Sequence, residues 1–272
     1  KLDGTFLLLG DHDDRSHLAL LPDSFSGRIE ISGKGLKDLV TNYPYVFEVS
    51  EPDQIAEPLT DRTIATSDQP SFTLDPPPPL APKVCIIDSG IQESHRFLRV
   101  AVDSKNSRSW VPNETDQKVD RVSGGGHGTR VAGAVLYPQG VPRTGRQTAI
   151  CWLQNARVLG QDCKFPDKLY IPEVLNDIVD FYHSQTGTRI FNHSINSSAP
   201  CRRTYMSAWA AEIDYLAWQD DILFVVSAGN LPTVRLPGLS ITRKALTEHF
   251  EEGCASEMLN DGICLPKKAP KL

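Results

Sequence analysis

Along residues 83–230, short runs of consecutive apolar residues alternate with longer stretches in which apolar residues recur every three or four positions. The runs at 84–87 and 222–226 predict buried strands, with 84–87 buried on both faces, and residues 149–159 and 189–195 are further strand candidates. The longer stretches predict amphipathic helices after Pro172 and after Met206. Because strands that alternate with helices are typical of βαβ crossovers, the pattern predicts an α/β fold with a doubly wound parallel sheet.

The N-terminal part of the chain follows a different pattern. Residues 5–10 and 45–49 are predicted to be short strands, and residues 36–40 a short helix between them. We therefore expect residues 1–57 to form a small α+β unit.

A proline-rich segment separates this unit from the rest. Residues 58–82 include four consecutive prolines at 76–79. Proline lacks the N–H group that helices and sheets need, and proline-rich segments are extended. We predict a linker at 58–82, followed by the α/β domain at 83–272.

Composition and charge exclude several classes of function. The chain has 272 residues, of which 40% are hydrophobic, so it can bury a sizeable core. No apolar run approaches the roughly 18 residues that cross a membrane. The formal net charge is -6 and basic residues form no cluster longer than a pair, which argues against nucleic-acid binding.

The six cysteines form no C-x-x-C pair, which argues against a zinc ribbon and a thioredoxin-type motif. Cys85 lies inside the apolar run 84–87, where a buried reduced thiol is expected. This favours a reducing, cytoplasmic compartment. The chain opens with Lys1 instead of Met, which predicts a longer precursor or an excised fragment.

Two polar side chains stand where reactive groups of parallel sheets collect, at the carboxyl ends of strands. Asp88 directly follows the run 84–87 and needs a hydrogen-bonding partner if it is buried, although it could also cap an Asp-Ser-Gly turn. His127 follows a glycine-rich loop and begins a helix of small residues. A phosphate-binding loop is the alternative there, but the Gly-Lys-Ser/Thr ending is absent.

Residues 86–91 (IIDSGI) and 127–133 (HGTRVAG) resemble the Asp and His motifs of the subtilisin-like serine peptidases, and residues 225–230 (VVSAGN) resemble the segment that carries that family's oxyanion-hole asparagine. The order Asp, then His, with Ser last, is the order of subtilisin. The resemblance implies that Asp88 orients the imidazole, that His127 transfers the proton and that the Asn230 amide donates to the oxyanion. It implies a subtilisin-like sheet and no certain cofactor.

Residues 192–196 (NHSIN) are similar to the strand that lines the family's substrate cleft. The resemblance implies that Ser194, Ile195 and Asn196 bind a protein or peptide substrate. The family usually has glycine where this chain has Asn196, so the cleft is expected to differ there.

The family's Gly-Thr-Ser-x-Ala-x-Pro signature occurs nowhere in the chain. Ser256 is the nearest approximation, but it lacks the flanking residues and follows Asn230 too closely for further parallel strands. We therefore expect an incomplete domain whose missing C-terminal part carries the nucleophile. The alternative is an inactive scaffold that binds peptides or proteins.

Two further expectations come from the resemblance. Residues 42–53 are similar to the closing strand of subtilase inhibitory prodomains, although they could also belong to a structural appendage. Many family members hold Ca²⁺, for which Asp103, Asp116 and Asp120 are possible ligands or simply solvated loop residues.

Overall fold

The computed structural model describes residues 7–8, 18–20, 24–49, 70–122, 126–167, 169–197 and 206–227. The first elements are β1 (Leu7–Leu8), β2 (Leu18–Leu20), β3 (Phe25–Gly27), β4 (Ile29–Glu30) and α1 (Gly33–Asn42). The later elements are β5 (Ser71–Asp75), β6 (Lys83–Asp88), β7 (Arg108–Ser109), α2 (His127–Leu136), β8 (Thr144–Thr148), β9 (Trp152–Arg157), α3 (Ile171–Val179), β10 (Ile190–His193), α4 (Ala208–Gln219) and β11 (Leu223–Val226).

Five strands form one sheet in the order β11-β10-β6-β9-β7. Every neighbouring pair in this sheet is parallel. β6 lies at the centre. In the chain, α2 lies between β7 and β9, α3 between β9 and β10, and α4 between β10 and β11. The predicted α/β fold with a parallel sheet is confirmed.

The sheet is covered on both faces, which explains the continuous apolar run in β6. Cys85 and Ile87 belong to one core cluster, together with residues of α3 and α4. Val84 and Ile86 belong to a second cluster, together with Leu136 of α2. Because successive residues of a strand point to opposite faces, a strand between two layers must be apolar at every position.

Both predicted helices are present. α3 has a proline in its first turn and continues directly into a π-helical turn, Asp180–Ser184. α4 begins after Ser207, whose side chain accepts a hydrogen bond from the N–H of Ala210 at 3.2 Å. Within the described parts of the chain, no helix is long and apolar enough to cross a bilayer.

The proline-rich segment is folded over its second half, which corrects the predicted linker at 58–82. Ser71–Asp75 forms β5 and pairs in parallel with β8. The side chain of Phe72 stacks on Phe97 with ring centroids 4.7 Å apart, and Leu74 is buried. This short stretch precedes the prolines and keeps its N–H groups, so nothing prevents it from pairing. Residues 58–69 lie outside the described residues.

In the N-terminal unit, the predicted helix at 36–40 is confirmed as part of α1, whose N-cap Ser32 accepts from the N–H of Gly35. The predicted strand at 45–49 is wrong, because these residues form no strand. Tyr45 and Phe47 are 82% and 83% exposed, so the apolar positions of this alternating pattern face outward. Only β1 is described within the strand predicted at 5–10.

β11 confirms the strand predicted at 222–226 but not its burial. Leu223, Val225 and Val226 are each about half exposed. Among the described strands β11 is the edge of the sheet and pairs only with β10. An edge strand lacks a neighbour on one side, so its side chains pack less completely than those of β6.

Gly128, in the first turn of α2, lies where this helix approaches the residues that follow β6. Its N–H donates to Ser89 Oγ at 3.0 Å. A Cβ atom at Gly128 would lie 2.3 Å from the carbonyl oxygen of Gly90 and 3.0 Å from Asp88 Cβ. Gly133 in the same helix has no heavy atom within 4 Å of such a position. The contact of α2 with β6 therefore requires glycine at 128 but not at 133.

Replacing the two glycines with alanine should change the free energy of unfolding in opposite directions. Gly128→Ala forces a methyl group against backbone and is expected to lower the free energy of unfolding by about 1–3 kcal/mol. Gly133→Ala is the matched control and should raise it by about 0.5–1 kcal/mol, because alanine favours the helix. Urea unfolding measures both, and equal effects of the two substitutions would contradict the close packing of α2 on β6.

Candidate active site

The parallel strands bring several polar residues to one edge of the sheet. Asp88, Arg157 and His193 are the last residues of β6, β9 and β10. Their strands are adjacent in the sheet, with Asp88 paired to Arg157 and His193 paired to Ile87. This is the carboxyl edge, where parallel sheets commonly place reactive groups.

Asp88 is completely buried, and its two carboxylate oxygens have different partners. Oδ1 accepts from the N–H of Ser89 at 2.7 Å, and Oδ2 lies 2.8 Å from Nδ1 of His127. A buried carboxylate is costly unless it is paired and hydrogen-bonded, and here both conditions are met. Asp88 therefore does more than cap a turn.

His127 is the first residue of α2, and its side chain is 27% exposed, so the imidazole reaches from the buried carboxylate toward solvent. The hydrogen bond to Asp88 raises the pKa of His127 above 6.5, while burial acts in the opposite direction. The charges of Asp88 and Asp120 raise this pKa further, and that of Arg130 lowers it. The neighbouring carboxylate thus strengthens the basicity of an imidazole at a helix N-terminus.

The pair is arranged for proton transfer. When His127 is neutral, the Asp88 carboxylate favours the tautomer that carries the proton on Nδ1. Nε2 then has its lone pair free and can accept a proton from a nucleophile. The structure thus joins two of the three residues for which the sequence predicted catalysis.

The third predicted residue, Asn230, lies outside the described residues, and so does Ser256. β11 ends at Val226, next to His193 of β10, and Ser227 donates its backbone N–H to the carbonyl of His193. The last described residues of this segment therefore lie at the carboxyl edge of the sheet. The role of Asn230 stays a prediction.

The predicted substrate-binding residues follow β10. Ser194 Oγ donates to Asn192 Oδ1 at 2.8 Å, and the amide of Asn196 donates to Ser227 Oγ. Ile195 is 5% exposed and lines a cavity of about 10 Å³ between β10, α3 and α4, which has room for about one water molecule. Substrate binding by these residues stays a prediction.

His193 lies within the motif at 192–196, and the structure places its side chain in the core below the site. It is 1% exposed, and Trp209 Nε1 donates to its Nε2 at 3.3 Å. Burial lowers the pKa of His193 to about 4, so it is neutral near pH 7. The residues two positions before and after it, Phe191 and Ile195, are apolar and buried in the same core cluster. This alternation is the only sequence signal for the burial of His193.

The three aspartates named as possible Ca²⁺ ligands have different surroundings in the structure. Asp103 Oδ2 accepts from Asn106 at 2.8 Å and from Gln154 at 3.2 Å. Asp120 is bonded to Thr129, and Asp116 is exposed. Within the described ranges, no three His, Cys, Asp or Glu side chains are grouped so that they could hold a metal ion.

Comparison with known proteins gives a family and a distant structural likeness. The profile of the Subtilase family matches residues 81–250. Among solved structures, the epidermin leader peptide processing serine protease (EpiP) from Staphylococcus aureus is similar, with 20% identity and a TM-score of 0.38. The match covers 60% of this chain and 39% of that protease. No curated protein sequence matches.

The raised pKa of His127 predicts a pH-dependent stability. A group whose pKa is higher in the folded state than in the unfolded state stabilises fully below its unfolded value, here about 6.5, and this contribution is lost as pH rises through the folded value. The free energy of unfolding should therefore fall above pH 6.5, and fall less in Asp88→Asn. Denaturant titrations across this range measure the slope.

His95→Ala provides the control for this measurement. Burial and Arg96 lower the pKa of His95, so its contribution to stability changes below pH 6.5 and the slope above it should match wild type. A slope above pH 6.5 that is the same in Asp88→Asn and wild type would contradict the hydrogen bond between Asp88 and His127.

Proposed function

Because the chain belongs to the subtilase family, we propose that residues 83–272 are part of a serine endopeptidase domain that hydrolyses peptide bonds. Asp88 and His127 are two members of its catalytic triad, and the serine is supplied by a segment outside residues 1–272. The observation that supports this most is the 2.8 Å hydrogen bond between the buried Asp88 carboxylate and His127 Nδ1.

In this mechanism each residue has one task. Asp88 holds the imidazole in the Nδ1-protonated tautomer and stabilises the imidazolium. His127 Nε2 takes the proton from the serine hydroxyl as its oxygen attacks the peptide carbonyl, and then gives that proton to the leaving amine. A water molecule then attacks the acyl-serine and gives its proton to His127 Nε2. The acyl group is released, and His127 returns the proton to the serine oxygen. The side-chain amide of Asn230 donates to the oxyanion in both steps.

The proposed substrate is a protein or peptide segment bound along residues 194–196. These residues directly follow β10, at the edge of the sheet where the Asp88 and His127 side chains meet. The position supports a cleft that presents the scissile bond to the catalytic pair. Membership of a peptidase family also favours this class of substrate.

Labelling with a fluorophosphonate tests the triad, because the probe reacts only with an activated serine. A longer chain that includes the proposed serine segment outside residues 1–272 should be labelled. Asp88→Asn and His127→Ala should be labelled slower by at least about 10³-fold, since removing a triad member leaves mainly the contributions of binding and the oxyanion hole. Asp103→Asn and His95→Ala are matched controls and should label like wild type.

Two outcomes of this experiment would contradict the proposal. Equal labelling of Asp88→Asn, His127→Ala and the controls would remove the triad. Absence of labelling in the natural protein, combined with a peptide affinity that survives His127→Ala, would instead identify a binding module.

We also propose that residues 1–57 act as an inhibitory prodomain. The supporting observation is their contact with the start of α3. Ser26 Oγ is hydrogen-bonded to Tyr170 OH, and an Arg28 guanidinium nitrogen donates to the carbonyl of Leu169 at 3.4 Å. α3 begins at Ile171, directly after these contacts, and also lines the cavity next to Ile195, which supports a position of the N-terminal unit near the proposed cleft.

The prodomain role predicts faster labelling when this contact is weakened. In the natural protein, Arg28→Ala and Tyr170→Phe should increase the rate of fluorophosphonate labelling several-fold, because the N-terminal unit leaves the cleft more often. Arg99→Ala, which removes an exposed arginine elsewhere, is the control. Unchanged rates in both contact variants would support a structural appendage instead.

A further inference from the structure

Asp120 is a second buried carboxylate near the catalytic pair, and it bonds to the first turn of α2. Its side chain belongs to a residue that is 1% exposed. Oδ2 accepts from Thr129 Oγ1 at 2.8 Å and from the N–H of Thr129 at 3.4 Å, while Oδ1 accepts from the N–H of Val122 at 3.1 Å. The mechanism above uses none of these contacts.

These contacts replace a helix cap that α2 lacks. The residue before α2 is Gly126, which has no side chain, and no side-chain cap is present there. An N-cap side chain ordinarily accepts from the N–H of the third helical residue, which in α2 is Thr129. Asp120 makes this bond from outside the helix, so it caps the turn that begins with His127.

Gly126 allows the carboxylate to come this close. A Cβ atom on Gly126 would lie 1.7 Å from Asp120 Oδ2 and 1.8 Å from Oδ1. A side chain at position 126 would therefore occupy the space that the Asp120 carboxylate fills, and only glycine avoids this clash. The Asp120 side chain thus packs directly against Gly126, the residue before His127.

The same residue is tied to the segment that carries Asp88. The N–H of Asp120 donates to the carbonyl of Ile91 at 3.4 Å, and the side-chain amide of Gln92 donates to the carbonyl of Asp120. The N–H of Gln92 also donates to Thr129 Oγ1 at 3.0 Å. A closed set of hydrogen bonds thus joins the residues after Asp88 to the first turn of α2.

We propose that Asp120 is a positioning residue for His127, which caps α2 from outside and fixes the distance between the imidazole and the Asp88 carboxylate. The catalytic importance of this positioning rests on the proposed function. The effect of Asp120 on His127 is independent of that function, because it can be measured without the serine or a substrate.

Asp120 can affect the pKa of His127 through its charge or through the position in which it holds α2, and the two effects can be distinguished. The charged groups that act on His127 are Asp88, Asp120 and Arg130. Burial raises the pKa of Asp120, and its hydrogen bonds to Thr129 and Val122 oppose that increase. Replacing Asp120 removes both its charge and its cap, whereas replacing Thr129 or Gly126 disturbs the cap and keeps the carboxylate.

The test is an NMR titration of the His127 imidazole in this chain and its variants. Asp120→Asn, Thr129→Val and Gly126→Ala should each lower the pKa of His127, because each loosens its bond to Asp88. Thr129→Ser keeps the hydroxyl and should restore the wild-type titration. Asp103→Asn breaks hydrogen bonds to Asn106 and Gln154 without touching α2, and should leave it unchanged.

Other results would overturn the proposal. A lower pKa in Asp120→Asn alone would indicate an effect of charge without positioning. A lower thermal stability of Thr129→Val and Gly126→Ala with an unchanged His127 titration would indicate a purely structural role. If Asp120→Asn does not fold, the other two variants decide. The fluorophosphonate result is independent, so either idea can fail while the other stands.

Discussion

The candidate site depends on a buried carboxylate that is hydrogen-bonded to an imidazole. Asp88 has no exposed surface, so its charge is tolerated only because Ser89 and His127 supply hydrogen bonds to its two oxygens. Ser89 directly follows Asp88 in the chain, whereas His127 comes from the start of α2. The fold brings the imidazole to Asp88, which lies at the end of the central strand of the sheet.

The helix that carries His127 is held to this strand by small residues and by a remote carboxylate. Gly128 lets the backbone of α2 approach Gly90, and Gly126 leaves room for Asp120. A side chain at 128 would favour the helix locally but would push it away from Gly90 and Asp88, and a side chain at 126 would displace Asp120. The small residues in the His motif thus serve the distance between two catalytic groups, at a cost in intrinsic helix propensity.

The sequence predicted the parts whose signals are local. β6 could be identified because burial on two faces demands an unbroken apolar run, and Asp88 follows it directly. β5 could not, because its strand character comes from pairing with β8, far along the chain. Asp120 was predicted only as a possible Ca²⁺ ligand, since a cap ordinarily adjoins its helix and this one does not. The exposure of β11 depends on its position at the described edge of the sheet, which its own residues do not encode.

The central claim is that Asp88 fixes the tautomer of His127, and ¹⁵N NMR of the imidazole tests it most directly. At a pH above the raised pKa of His127, the account predicts a protonated Nδ1 and an Nε2 with a free lone pair. A neutral imidazole that carries its proton on Nε2, with Nδ1 unprotonated, would contradict it, because Nδ1 could then donate no hydrogen bond to the carboxylate.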